Sequence, residues 1–167
     1  KTAAVTPLKA SYQESSIKDL VGKRITWLIA LVLISLFSAG IIAIYEETLQ
    51  TVIVLAIFIP LLLGSGGNAG AQASTLMVRA IATSDVHINE WLEVFLKELM
   101  VGLLLGLLMG IISLIFGSLR GGFEIGLIVG LTMLTVVLAA NLIGVMLPFL
   151  LTKMGLDPAV ASNPLLT

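Results

Sequence analysis

Charge in this chain is gathered into short stretches, and the intervals between them are long and apolar. Residues 25–45, 48–78, 99–119 and 125–152 hold no Asp, Glu, Lys or Arg, giving uncharged runs of 21, 31, 21 and 28 residues. About 20 apolar residues in a helix cross a hydrocarbon core of about 30 Å, so each run is read as a membrane span. Trp27 and Tyr45 bracket the first run, as interface anchors at opposite faces would. Glu46 and Glu47 then mark an aqueous turn, and Arg120-Gly121-Gly122-Phe123-Glu124 is a short turn between the third and fourth runs. Uncharged sequence resumes at Pro158, where a fifth span is expected to begin.

Two stretches beside the spans have a different rhythm. Ile17, Leu20, Val21 and Ile25 fall at helical spacing beside Lys18, Lys23 and Arg24, and Ser16-x-x-Asp19 resembles a capping box. That predicts either an amphipathic helix on the membrane surface or an extension of the first span. Trp91, Leu92, Phe95, Leu96 and Leu99 share one helical face, with the pair Glu93 and Lys97 on another, predicting a second surface helix that feeds the third span. The expected fold is an all-α integral membrane bundle of four visible transmembrane helices plus the start of a fifth, with amphipathic surface helices. Residues 1–24 form a linker and connecting helix, and residues 25–167 form the transmembrane domain.

Composition agrees with a membrane location. Apolar residues make up 58% and charged residues 11%, against about half and about a quarter in soluble domains. The absence of cysteine excludes disulfides and thiolate chemistry. A net charge of −1 gives no footprint for nucleic acid. Eight of the nine Lys and Arg residues fall on one side of the predicted spans, with Arg120 alone opposite. Positive charge favours the cytoplasm, so the N-terminus is expected to be cytoplasmic in a multi-pass cell-membrane protein.

No catalytic constellation emerges. His87 is the only histidine and lies in a polar connection, so nothing is placed to activate Ser65 as a nucleophile. No Lys-Ser/Thr follows the glycine cluster, as a phosphate loop requires. Attention falls instead on Gly64-Ser-Gly-Gly-Asn-Ala-Gly-Ala-Gln72, inside the second run and just after Pro60. Glycines weaken a helix, and loosened backbone at membrane depth is tolerated only against protein or a water-filled cavity. The expectation is a locally unwound segment lining a hydrated path, with free carbonyls of Gly64 to Gly70 beside Ser65, Asn68, Gln72, Ser74 and Thr75. Such oxygens and amides suit a hydrated cation or a neutral polar solute. Magnesium retains several of its waters and usually takes one or two carboxylates, yet no span holds a carboxylate, and Glu46, Glu47, Glu98 and Asp157 fall at the mouths. The glycines at 102, 106 and 110 repeat every fourth position and are read as packing residues; Gly66 and Gly70 also fit packing, but the 64–72 stretch is read as functional because Asn68 and Gln72 add polar groups four apart on one face.

Four segments together resemble the MgtE family of magnesium channels. They are Pro60-Leu-Leu-Leu-Gly-Ser-Gly-Gly-Asn-Ala-Gly-Ala-Gln72, Phe95-Leu-Lys-Glu98, Ala140-Asn141-Leu-Ile-Gly-Val-Met-Leu-Pro-Phe149 and Asp157-Pro-Ala-Val-Ala-Ser-Asn-Pro-Leu165. The resemblance implies a homodimer of five-helix subunits, with a pore on the dimer axis between the second and fifth helices. Its cargo would be largely hydrated Mg2+, and the helix near residues 16–24 would help to gate the pore. By position, Gly64, Gly67, Asn68 and Asn163 would face the ion. The family's cytoplasmic regulatory domains would precede Lys1, and its pore aspartate would follow Thr167. Ala71 stands where the family commonly has a second Asn, which removes one amide contact. The alternative is a secondary carrier for a neutral or cationic organic solute, bound at a broken second span.

Overall fold

The structure, a computed structural model, describes residues 16–155 and residue 158. The described residues form helices and connecting turns, with no strand among them. Helix α1 spans Ile17–Ile44, α2 Glu46–Thr51, α3 Ile53–Ala56, α4 Ile59–Ala82, α5 Trp91–Gly121 and α6 Phe123–Lys153. A single 3-10 turn, Ile88–Glu90, precedes α5. Among the described residues, three helical stretches are long and apolar enough to cross a membrane: Ile53–Ala82, Ile88–Gly121 and Phe123–Lys153. In α1 the apolar part measured this way is the shorter stretch Leu28–Ile44. The start of the fifth span lies outside the described residues, Pro158 apart, as does the Trp27 side chain.

Neither expected surface helix is a separate element. Residues 17–24 are the opening turns of α1, which runs unbroken to Ile44, so of the two expected forms the continuous helix is the one that forms. Its start is as expected: the Asp19 amide donates to Ser16 Oγ at 3.2 Å, and the Ser16 hydroxyl donates to Asp19 Oδ2 at 2.6 Å. Likewise, Trp91–Leu99 is the first part of α5. No glycine or proline lies between Trp91 and Gly102 to interrupt the helix.

The turns carry the residues their backbones require. Helix α4 closes in a Schellman arrangement: the Asp85 amide donates to the Ala80 carbonyl at 3.0 Å and the Ser84 amide to Ile81 at 3.2 Å. Ser84 takes a left-handed φ of 59° to do so. Between α5 and α6, Gly122 adopts φ 84° and ψ 171°, a region open essentially to glycine alone.

The body of the fold is α4, α5 and α6. Helix α6 packs along both of the others, whereas α4 and α5 share little direct contact. Between α5 and α6 the closeness comes from small residues. Gly102, Gly106, Gly110, Ser113 and Gly117 form a buried stripe on α5, and Gly126 and Gly130 are buried on α6. A methyl group added at Gly106 would stand 2.8 Å from the Leu134 carbonyl oxygen, and one at Gly110 would stand 2.9 Å from that of Gly130. In lipid, where apolar surface gains nothing by leaving the solvent, such backbone-to-backbone packing holds helices together. Between α4 and α6, Ala73, Met77, Val145 and Phe149 make the buried cluster. Helix α1 packs chiefly on α2, and none of its described side chains is buried.

Candidate functional site

Helix α4 passes straight through the glycine cluster. It begins with Pro60 in its first turn, where the missing amide needs no helical partner, and runs unbroken to Ala82. The expected unwinding at Gly64–Gln72 is therefore corrected, and the carbonyls of Gly64 to Gly70 are part of a helical ladder. The breaks in this long run lie earlier, at Val52 (φ −129°, ψ 67°) and at Ile57–Phe58. The glycines are accommodated because one face of the helix is pressed against α6. Gly66, Gly70, Ala73, Ser74 and Met77 are buried on that face. A methyl group at Gly66 would stand 2.6 Å from Val136 Cγ1, and one at Gly144 would collide with the backbone of Gly70. Tertiary packing outweighs the poor helical propensity of these residues.

Turning the small stripe toward α6 turns the polar positions outward. Gly64, Gly67, Asn68, Ala71, Gln72 and Thr75 recur at helical spacing on the other side of α4. Gly64, Asn68, Gln72 and Thr75 are exposed there, and Gly67 and Ala71 are half-buried. A methyl group at Gly64 would meet nothing within 4 Å. Asn68, Ala71, Gln72, Thr75 and Leu76 line an open groove of about 450 Å3. The Thr75 hydroxyl donates to the Ala71 carbonyl at 2.7 Å, leaving its lone pairs facing outward as acceptors. With the main chain engaged in the helix, the groups able to meet a solute here are the side-chain amides and the hydroxyl. The structure thus brings three of the four expected site residues, Gly64, Gly67 and Asn68, onto one face. Asn163 lies outside the described residues.

A second polar feature went unanticipated. Asn141 of α6 is 3% exposed and reaches α5, where its Nδ2 donates to the Glu98 carbonyl at 3.1 Å and to Glu98 Oε2 at 3.0 Å. Glu98, expected at a mouth, is half-buried on the wall of a crevice of about 370 Å3 between α4, α5 and α6. Ser65, Asn68 and Gln72 line the opposite wall. Both partners lie in segments that carried the family resemblance, but no local pattern links residues 43 positions apart. His87 is exposed and its backbone amide donates to Glu90 Oε2 at 2.8 Å, which caps the 3-10 turn. Among the described residues, no group of three or more His, Cys, Asp or Glu side chains is placed to hold a metal ion.

Comparison with known proteins supplies the remaining findings. The family model for MgtE, described as divalent cation transporter, matches residues 59–167. A protein named magnesium transporter MgtE from Thermus thermophilus is 42% identical over 165 residues, covering 99% of this chain and 37% of that protein. Proteins of the same name from Enterococcus faecalis and Bacillus subtilis are 36% and 30% identical over 146 residues, each covering 87% of this chain and 32% of the relative. The chain thus spans about a third of the length of the curated relatives it matches.

Proposed function

Because the chain belongs to the MgtE family of divalent cation transporters, we propose that it forms the membrane-embedded part of a magnesium transporter. The ion path follows the outward face of α4. The observation that carries this reading is the division of α4 into two faces: small residues bury against α6, while Asn68, Gln72 and Thr75 stay exposed on a helix long and apolar enough to span a membrane. Lipid offers such groups no hydrogen bonds, so a polar face at that depth needs water, an ion or protein against it.

Neutral amides and a hydroxyl can hydrogen-bond the water shell of Mg2+ without stripping it, which suits an ion that dehydrates reluctantly. Gly64 and Gly67 contribute by lacking side chains and so leave room for the hydrated ion, and Asn68 and Asn163 contact its waters. In this reading the path lies on the axis of a homodimer, between α4 and the helix that follows Pro158. Helix α1 is then the first of five spans, its N-terminus is cytoplasmic, and residues 1–24 are a linker and connecting helix whose part near residues 16–24 helps to gate the pore domain, residues 25–167. The carrier alternative placed its binding site at a break in the second span; α4 is continuous through the glycine cluster, so that cluster offers no such break.

The test is Mg2+ influx into proteoliposomes containing the protein, followed with an internal magnesium-sensitive dye under an imposed voltage. Influx that Asn68→Leu abolishes, with the variant still folded, is the expected result. Unchanged influx in that variant would remove the α4 face from the ion path.

A further inference from the structure

Glu98 is a carboxylate with no charge partner among the described residues. It sits about 10 Å into α5 at helical rise, just before the uncharged run 99–119. Among the described residues no Lys or Arg forms an ion pair with it. Of the described side chains, Asn141 donates to the Glu98 carboxylate, at Oε2. A half-buried carboxylate is expensive to hold without a countercharge, and an ionisable group inside a membrane domain marks a functional position by default. The volume in front of it is adequate for a cation with its waters. Six waters at about 30 Å3 each occupy about 180 Å3, and the crevice offers about 370 Å3. Its other polar lining is Ser65, Asn68, Gln72 and Asn141, all neutral.

We propose that this three-helix crevice is a second divalent-cation site, centred on Glu98 and adjoining the ion path on the outward face of α4, with which it shares Asn68 and Gln72. The cation keeps its water shell, with the Glu98 carboxylate supplying the charge and the amides and hydroxyl hydrogen-bonding the bound waters. One carboxylate with neutral oxygens and amides is the donor set of a mostly hydrated Mg2+ site. The site also has a mechanical consequence. Helices α4 and α5 share little direct contact and are both held by α6. A cation between Glu98 on α5 and Ser65, Asn68 and Gln72 on α4 joins them, and so sets the position of the helix that carries the path. The identity of the cation rests on the magnesium reading above.

Mn2+ serves as the probe, because it takes oxygen ligands as Mg2+ does and scatters anomalously. Crystals of the wild-type protein soaked in MnCl2 are expected to show an anomalous peak in the crevice facing Glu98, and Glu98→Gln to lose it. Gln at 98 keeps an acceptor for Asn141 and removes only the charge. Asn141→Asp, which adds a second carboxylate, is expected to tighten Mn2+ at this site by about tenfold. No peak in the wild type, or a peak that persists in Glu98→Gln, overturns the site. Mg2+ influx in liposomes without a crevice peak overturns the site and leaves the transport reading standing. A crevice peak without influx overturns the transport reading and upholds the site.

Discussion

Gly110 on α5 and Gly64 on α4 both sit in long apolar runs, yet a methyl group at the first would stand 2.9 Å from an α6 carbonyl and at the second would meet nothing within 4 Å. The α5–α6 seam uses its glycines to bring two backbones together. Helix α4 divides its own: Gly66 and Gly70 do the same work against α6, while Gly64 and Gly67 lie on the open face with Asn68 and Gln72. The difference teaches that a glycine in a membrane helix carries no functional meaning by itself. Its meaning comes from what stands opposite, a neighbouring backbone in one case and open space beside amides in the other.

That contrast is sharpest at Gly144. Substitution to Ala places a methyl group on the backbone of Gly70, which cannot move aside as a side-chain end can. Gly144→Ala is expected to lower stability by about 3 kcal/mol, the upper part of the overpacking range, measured by thermal unfolding in detergent. Gly64→Ala, with open space around it, should leave stability unchanged or raise it by about 0.5–1 kcal/mol through helix propensity. Equal losses at both positions would break the distinction between seam and open face.

Asn141 comes next. Asn141→Leu removes the amide donor to the Glu98 carboxylate and leaves it less well satisfied, at an expected cost of about 2 kcal/mol. The accompanying loss of α5–α6 registration would appear as faster amide exchange around Glu98. A variant as stable as the wild type would show that the pair contributes nothing net to the bundle.

Asn68→Leu tests the open face in the opposite way. Its stability should stay within about 0.5 kcal/mol, as for exposed positions generally, while Mg2+ influx falls by at least about tenfold, equivalent to about 1.4 kcal/mol of barrier. Lost stability with retained influx would assign Asn68 to packing after all. The smallest expected effect is at Ala71, half-buried on the same groove. Ala71→Asn adds an amide one turn from Asn68, and a change of about threefold in the Mg2+ concentration for half-maximal influx is expected from one added hydrogen bond to a bound water. No change would place residue 71 outside the reach of the hydrated ion.

Much of the architecture follows from the residues alone. Uncharged runs of span length, charge clusters between them and the Ser16 cap each depend on neighbours a few positions away; α1, α5 and α6 each cover one of the runs, while the run 48–78 divides at Val52 and Ile57–Phe58. The small-residue seam was legible for the same reason, since a four-residue spacing of glycines makes one flat helical face whatever its partner. The local signal failed at Gly64–Gln72. Glycine and proline argued for an unwound segment, but propensities of about 1 kcal/mol per residue give way to a packed interface, and only the position of α6 reveals that interface. The pairing of Glu98 with Asn141 was equally hidden, because nothing in the chain says which residue of α6 will stand opposite the eighth residue of α5. By itself the sequence determined that this is a helical membrane protein and, through its motifs, to which family it belongs. The tertiary structure alone decided which glycines are seams and which leave open space, and that the Glu98 carboxylate, hydrogen-bonded by Asn141, faces the amides of α4. Those distinctions depend on distances between chain-remote backbones, which local physical chemistry does not set.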